Sequence, residues 1–336
     1  MKKKMIGLLL MSMAAIEIAT AAEAATDKDG SIVTTDVDTH RYAKTITVAQ
    51  DGSGDYKTIN EALKKLRGDF EEPVRIYVKD GVYKEKILVN YTLKNVTIEG
   101  ESRKGTVISY GDYAQLNNMG TSGSYTLRVD GNNITLKNLT IENTAGPVGQ
   151  AVALHTTGDK IHVIDCDILG NQDTLYATGH NSRDLFDNCY IEGTVDFIFG
   201  AATALFRDCH LHAKRDGYLT AASTPKENAI GYVFHNCKVT ADPEAKNVYL
   251  GRPWRPYAST FFINCELPEG ISTKGWHNWG NAENEKTARY GEYNCTGPGA
   301  KESERVDWRK KLNALDAAEL TDPGRIFTRG SAWIVD

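Results

Sequence analysis

Phe186-Asp187-Asn188-Cys189 returns twenty residues later as Phe206-Arg207-Asp208-Cys209. The frame runs on through the chain. An Asx residue precedes every cysteine, at Asp165-Cys166, Asn188-Cys189, Asp208-Cys209, Asn236-Cys237, Asn264-Cys265 and Asn294-Cys295. An apolar or aromatic residue stands two or three places before each cysteine: Ile164, Phe186, Phe206, Phe234, Phe262 and Tyr293. Upstream, Leu93-Lys94-Asn95-Val96-Thr97-Ile98-Glu99 and Leu136-Lys137-Asn138-Leu139-Thr140-Ile141-Glu142 carry the frame with an aliphatic residue in place of the cysteine. From Asn138 the Asx position recurs in steps of 27, 23, 20, 28, 28 and 30 residues. The step of 43 from Asn95 to Asn138 reads as two turns of the same repeat.

A period of this length marks a solenoid or an array. The repeated unit is a short apolar strand, not a helical pair, and loops of variable length separate the strands. This predicts an all-β fold, a right-handed parallel β-helix whose coils stack at about 4.8 Å. The cysteines then read as small buried core fillers. Stacked coils also bring thiols within disulfide reach, and Cys189 and Cys209, on the most closely spaced coils, are the candidate pair.

Solenoid ends need covers. Tyr56 to Arg67 places Ile59, Ala62, Leu63 and Leu66 on one helical face, with Thr58 and Glu61 spaced as a capping box. A helical N-terminal cap follows. Glu302 to Glu319 predicts a C-terminal loop and helix packed back along the barrel. At the start of the chain, Lys2-Lys3-Lys4, an apolar run from Met5 to Ile16 and Ala22-Glu23-Ala24 form a signal-peptide layout. The expected organisation is a signal peptide over 1–24, an extension over 25–44 and a single catalytic domain over 45–336. Export puts the substrate outside the cytoplasm, in the medium, the periplasm or at the cell surface.

Bulk properties narrow the function. The 336 residues are 41% hydrophobic and 25% charged, with a formal charge of -5. That balance argues against a nucleic-acid partner, which would call for clustered Lys and Arg. No internal apolar run approaches the roughly 20 residues of a membrane span. The solenoid's sides need no partner, so a monomer is expected.

Familiar catalytic motifs are missing: no Gly-x-Ser-x-Gly elbow, no phosphate-binding Gly-rich loop, no His-Glu-x-x-His. His210-x-His212 is weak as a metal signal, because alternating strand residues produce it by chance. What stands out is polar residues at the heads of apolar runs, one coil apart: Gln150, then Gln172-Asp173, then Asp196. Taken singly, each is more often structural: an Asp in a turn, a Gln bonding in the core, a packing Arg or a core Trp. Their common spacing changes this. Two carboxylates held together titrate as a pair and supply a nucleophile and a general acid at one pH. Two amides can stabilise an oxyanion. Arg252 can hold one carboxylate in its anionic form. Trp254 and Tyr176 offer flat faces to sugar rings.

At these residues the sequence resembles the pectin methylesterase (pectinesterase) family. The matching motifs are Gly81-Val82-Tyr83-Lys84-Glu85, Gln150-Ala151-Val152-Ala153-Leu154, Gln172-Asp173-Thr174-Leu175-Tyr176, Asp196-Phe197-Ile198-Phe199-Gly200 and Leu250-Gly251-Arg252-Pro253-Trp254, in family order from about Thr45 to Phe327. The resemblance implies hydrolysis of the C6 methyl esters of galacturonate in pectin, without cofactor or metal. It implies Asp196 as nucleophile, Asp173 as proton donor and then base, and Gln172 as oxyanion stabiliser with Gln150 assisting. Gln150, Arg252, Trp254, Tyr176, Phe199 and Thr126 would bind methylated homogalacturonan. Tyr125 departs from the Ser-Ala-Thr that the family usually carries at Ser124-Tyr125-Thr126. The short exported form resembles bacterial members, without the inhibitory pro-region of many plant ones. Two other readings compete: another pectin-active enzyme on this scaffold (polygalacturonase or pectate lyase), or a non-catalytic polysaccharide-binding solenoid. The glutamine pair argues against a glycosidase, because amide donors suit an acyl oxyanion better than an oxocarbenium ion.

Overall fold

The computed structural model describes residues 25–26, 32–33, 42–66, 72–328, 330 and 333. The expected signal peptide, 1–24, lies outside these. The chain divides into two units, Met1–Arg41 and Tyr42–Asp336. In the first, Ala25–Thr26 pairs antiparallel with Ile32–Val33. The second is a right-handed parallel β-helix.

One sheet runs the length of this second unit. Its eleven described strands, from Lys44–Val48 to Lys310–Lys311, pair in parallel coil by coil. The other two faces are linked by two long strands, Tyr190–Gly200 and His210–Ala222. The first half of Tyr190–Gly200 pairs with Asp167–Leu169 and its second half with Leu175–Ala177. The strand therefore passes around a corner of the barrel, and that corner carries the site.

The repeated Asx has a backbone cause. Asn138, Asp165, Asn188, Asp208, Asn236, Asn264 and Asn294 all have φ between 50° and 56°. Each is the single left-handed residue that turns the chain from the long sheet into the next. Such a residue costs most L-amino acids about 1–2 kcal/mol, and Asn and Asp least among those with a side chain. The cysteine that follows points inward. Cys189 Sγ lies 3.3 Å from the Asp187 carbonyl and 3.4 Å from that of Val163; Cys209 repeats this with Arg207 and Phe186. All six cysteines are free, Cys189 and Cys209 included. Their thiols serve as donors to strand carbonyls rather than bridging coils.

Two details of the repeat are corrected. The inward ladder position is the third residue before the cysteine, where Phe186, Phe206, Phe234 and Phe262 stack with centroids 4.4 to 4.6 Å apart. Ile164 and Tyr293, two places before, pair with Asp187 and Ile263, one step further along the strand. The step of 43 is not two coils. Val96–Ile98 pairs with Ile134–Leu136, 38 residues on, whereas Thr140–Asn143 belongs to the next face. The two similar heptapeptides lie on different sides of a corner, because an alternating apolar strand suits either face.

The caps follow from local sequence. The N-terminal helix spans Ile59–Lys65, shorter than the 56–67 periodicity suggested, because Leu66 is already extended. Thr58 and Glu61 form the reciprocal capping box, and Ile59, Ala62 and Leu63 are buried. At the other end, helices Ala314–Thr321 and Pro323–Ile326 lie on the outer face of the long sheet. Ala317, Leu320, Ile326 and Phe327 pack there on Leu185, Leu205, Val233, Phe261 and Ile263. Leu185, Leu205, Val233 and Phe261 are apolar on the outer face for that reason.

The left-handed corner makes a prediction at exposed Asn236. Asn236→Ala is expected to lower stability by about 1–2 kcal/mol, and Asn236→Gly by much less. Urea midpoints of the two variants, compared with the parent, check the order. Equal losses would mean that the backbone conformation is not what selects Asx.

Candidate active site

The site grows from strand register. Gln150 bridges to Gln172 in parallel, and the Ala151 N–H donates to the Gln172 carbonyl at 3.1 Å. On the next coil the Asp173 N–H donates to the Val195 carbonyl at 3.1 Å. Tyr176 pairs with Phe199, and three residues before each stand Asp173 and Asp196. The two aspartates are therefore neighbours across adjacent coils. Both have left-handed backbones, with φ of 65° and 51°. Asp is among the few residues that tolerate this, and here it aims each carboxylate out of the strand at the barrel corner.

Asp196 sits in a register break between Val195 and Ile198 in the pairing with His210–Ala222. Gly193 makes room for that bend. A Cβ at Gly193 would lie 2.2 Å from the Phe197 Cβ and 2.6 Å from the Asn171 carbonyl oxygen. Thr174 fastens the preceding coil through its Oγ1, which donates to the Glu192 carbonyl at 2.9 Å.

Both carboxylates are buried, 7% exposed at Asp173 and 6% at Asp196. What separates them is Arg252. Its Nε and Nη2 donate to the two Asp196 oxygens at 2.8 and 2.6 Å, a bidentate pair. The guanidinium is itself held between the rings of Tyr218 and Trp279, 3.9 and 3.8 Å from their centroids. Burial pushes the Asp173 carboxyl up to about 8, and the neighbouring Asp196 charge pushes the same way. Burial also raises Asp196, but the hydrogen bonds and charge of Arg252 oppose it. Of the two, Asp173 is therefore the one that favours the proton, and Asp196, gripped by Arg252, the one that favours the charge.

Gln150, Gln172, Asp173, Tyr176, Asp196, Phe199, Arg252 and Trp254 line one cleft of about 690 Å³. Tyr176 stacks between His155 and Phe199 at 4.3 and 4.2 Å, and Trp254 tilts over both Tyr176 and Phe199. Thr126 does not join them. It is fully buried, and its Oγ1 donates to the Glu142 carbonyl at 2.9 Å. The cleft wall in that region is Met119, Gly120, Thr121 and Ser122 instead. Sequence reasoning missed Tyr218 and Trp279 as the sandwich around Arg252. Tyr218 was within reach of it, since it pairs with Val195 one coil on from the Asp196 motif. His210 and His212 both hydrogen-bond the Thr240 hydroxyl, at 2.7 and 2.8 Å. Among the described residues no group of His, Cys, Asp and Glu is arranged to hold a metal ion.

The family profile for Pectinesterase matches residues 45–326. Pectinesterase 31 of Arabidopsis thaliana is 38% identical over 80% of this chain and 87% of its own length. The pectin methylesterase from carrot superposes with a TM-score of 0.80 at 35% identity, covering 84% of this chain and 92% of that one. Pectin methylesterase PemA from Erwinia chrysanthemi gives 0.74 at 30%, covering 86% and 98%. A pectin methylesterase in complex with a hexasaccharide gives 0.73 at 29%, covering 88% and 99%. Plant and bacterial proteins both appear among these matches, so the expected bacterial type draws no support from them. With the match running from the N-terminal cap to the C-terminal helices, the chain belongs to the pectinesterase family.

Proposed function

We propose that this protein hydrolyses the C6 methyl esters of galacturonate units in pectin, giving methanol and de-esterified pectate, with Asp196 as nucleophile and Asp173 as acid and then base. One observation carries the assignment of roles. Two buried carboxyls share a corner, and a guanidinium grips only one of them. The gripped one is an anion ready to attack, and the other is a neutral acid ready to protonate a leaving group.

An Asp196 oxygen attacks the ester carbonyl. The developing oxyanion accepts hydrogen bonds from the Gln172 and Gln150 amides. Collapse breaks the bond to methoxide, which leaves as methanol with the Asp173 proton. The product at this stage is an anhydride between Asp196 and the sugar carboxyl. Asp173, now a carboxylate, takes a proton from water as that water attacks the anhydride. Asp196 departs as a carboxylate, and the starting protonation state is restored. The aromatic floor of Tyr176, Phe199 and Trp254 suits the apolar faces of sugar rings, and an open cleft suits a polymer. The signal-peptide layout of residues 1–24 supports export, and among the described residues no helix is long and apolar enough to cross a membrane. The protein would act as a monomer outside the cytoplasm. The hexasaccharide complex of a relative supports an oligosaccharide segment as the bound unit.

Incubation with highly methylated pectin should release methanol without new reducing ends or unsaturated products. New chain ends without methanol would instead indicate a glycosidase or lyase.

Asp173→Asn should reduce methanol release by several orders of magnitude and yet raise stability. In the unfolded chain this carboxyl ionises near 3.8, and in the folded protein near 8. Its contribution to folding is therefore fully present below 3.8 and is lost as pH rises toward 8. The stability advantage of Asp173→Asn should grow over that window, read as the difference in urea midpoint at pH 4.5 and pH 8. A variant destabilised equally at both values would contradict the buried neutral acid.

The pH profile of kcat/KM should fall on the alkaline side near 8, where Asp173 loses its proton. Arg252→Gln removes the group that holds Asp196 down, so the acid limb should move to higher pH. An unmoved acid limb would detach Arg252 from Asp196.

A further inference from the structure

The amide of Gln150 is useful to an oxyanion in only one of its two orientations. Its Nε2 must face the cleft, and its Oε1 must face away. A carboxamide is nearly symmetric in shape, so packing alone selects poorly between the two. The selection has to come from a hydrogen bond.

That bond comes from outside the repeat. Gln115 Nε2 donates to Gln150 Oε1 at 3.1 Å. Gln115 lies in the segment between strands Thr106–Tyr110 and Leu127–Val129, which also supplies Met119 to Ser122 to the cleft wall. The backbone beside it is tied to the same target, since the Ala114 N–H donates to the Gln150 carbonyl at 2.9 Å. The base of the segment is tied as well. Lys86 Nζ donates to the Gly123 carbonyl at 2.6 Å, pairs with Asp112, and sits 4.8 Å from the centre of the Tyr125 ring. Gly149, with φ of 104°, passes beneath the Gln115 amide, where an added Cβ would come within 3.3 Å of Gln115 Oε1.

We propose that Gln115 is a positioning residue for ester hydrolysis: by donating to Gln150 Oε1 it holds the Gln150 amide with its N–H groups toward the oxyanion. The inference rests on the esterase reading given above. Gln115 touches Gln150 and no reacting atom.

The test is steady-state methanol release from methylated pectin by Gln115→Ala, Gln115→Glu, Gln150→Ala and the double variant Gln115→Ala/Gln150→Ala. Removing the donor should lower kcat about three- to tenfold, with KM changed less than about twofold, since the oxyanion forms only after substrate binds. Gln115→Glu should be worse than Gln115→Ala at pH 7. A carboxylate accepts only, so it recruits the Gln150 N–H groups and turns Oε1 toward the oxyanion. Lowering the pH toward 4.5 should bring Gln115→Glu back toward or above Gln115→Ala, because the protonated acid can donate again. In the Gln150→Ala background, Gln115→Ala should cost nothing further. The proposal is overturned if Gln115→Glu matches the parent, if the loss appears in KM rather than kcat, or if the two substitutions act independently. A parent enzyme that releases no methanol would count against the esterase reading itself, and that outcome is separate from all of these.

Discussion

Parallel hydrogen bonding between successive coils fixes which residues of this chain can meet. A parallel ladder has one register at each step, and a slip of one residue would exchange the inward and outward faces. Through the middle of the barrel the register is pinned twice in each coil. Stacked inward rings hold one side, as in the run from Phe186 to Phe262. A left-handed Asx holds the corner. With those fixed, a residue at the head of a strand has a determined neighbour one coil away. Asp173 and Asp196 meet because Tyr176 and Phe199 are paired, and a slip there would turn the neighbouring Leu175 and Ile198 out of the core.

The chemistry then depends on an asymmetry laid over that regularity. Two carboxyls in similar burial would have similar proton affinities, and neither role would be assigned. Arg252 breaks the tie. It reaches Asp196 from just past strand Val248–Gly251, which pairs with His210–Ala222, and the Tyr218 and Trp279 rings keep its fork flat against the carboxylate. A lysine could not do the same, because a single ammonium lacks the two parallel donors and the planar stacking face. The stability cost of burying the Asp173 carboxyl is set against a long continuous apolar core in the barrel.

What was legible in the sequence is what repeats. The Asx-Cys frame reports a backbone turn and an inward small residue, so the β-helix and its coil spacing from Asn138 onward could be read directly. Gln150, Gln172, Asp173 and Asp196 could be stacked on paper, because one-coil separation in sequence is adjacency in space. The first coils were harder. They lack cysteine, and an alternating strand such as Val96–Ile98 carries no mark of which face it belongs to. Thr126 failed for a related reason. Neighbouring strand residues point to opposite sides, and a local motif does not say which of Ser124, Tyr125 and Thr126 faces the cleft. The wall from Met119 to Ser122 and the Gln115 contact were not legible at all. They belong to a segment outside the repeat, whose path is set by Lys86 and by backbone bonds to Gln150.

That division has a physical basis. The barrel can present identical corners indefinitely, and a site requires corners that differ. Difference enters in two ways: an Asp takes a left-handed position at a corner where the coils flanking the pair have none, as at Asp173 and Asp196, or an insertion leaves the barrel and folds over it, as between Thr106–Tyr110 and Leu127–Val129. The backbone cost of the first is small, because Asp suits that conformation. The second must be tied down, because a loop of that length gains little from its own packing. Lys86, Ala114 and Gln115 supply those ties, and two of the three end on Gln150. The residue that joins the repeat to the insertion is thus the same amide proposed to face the oxyanion.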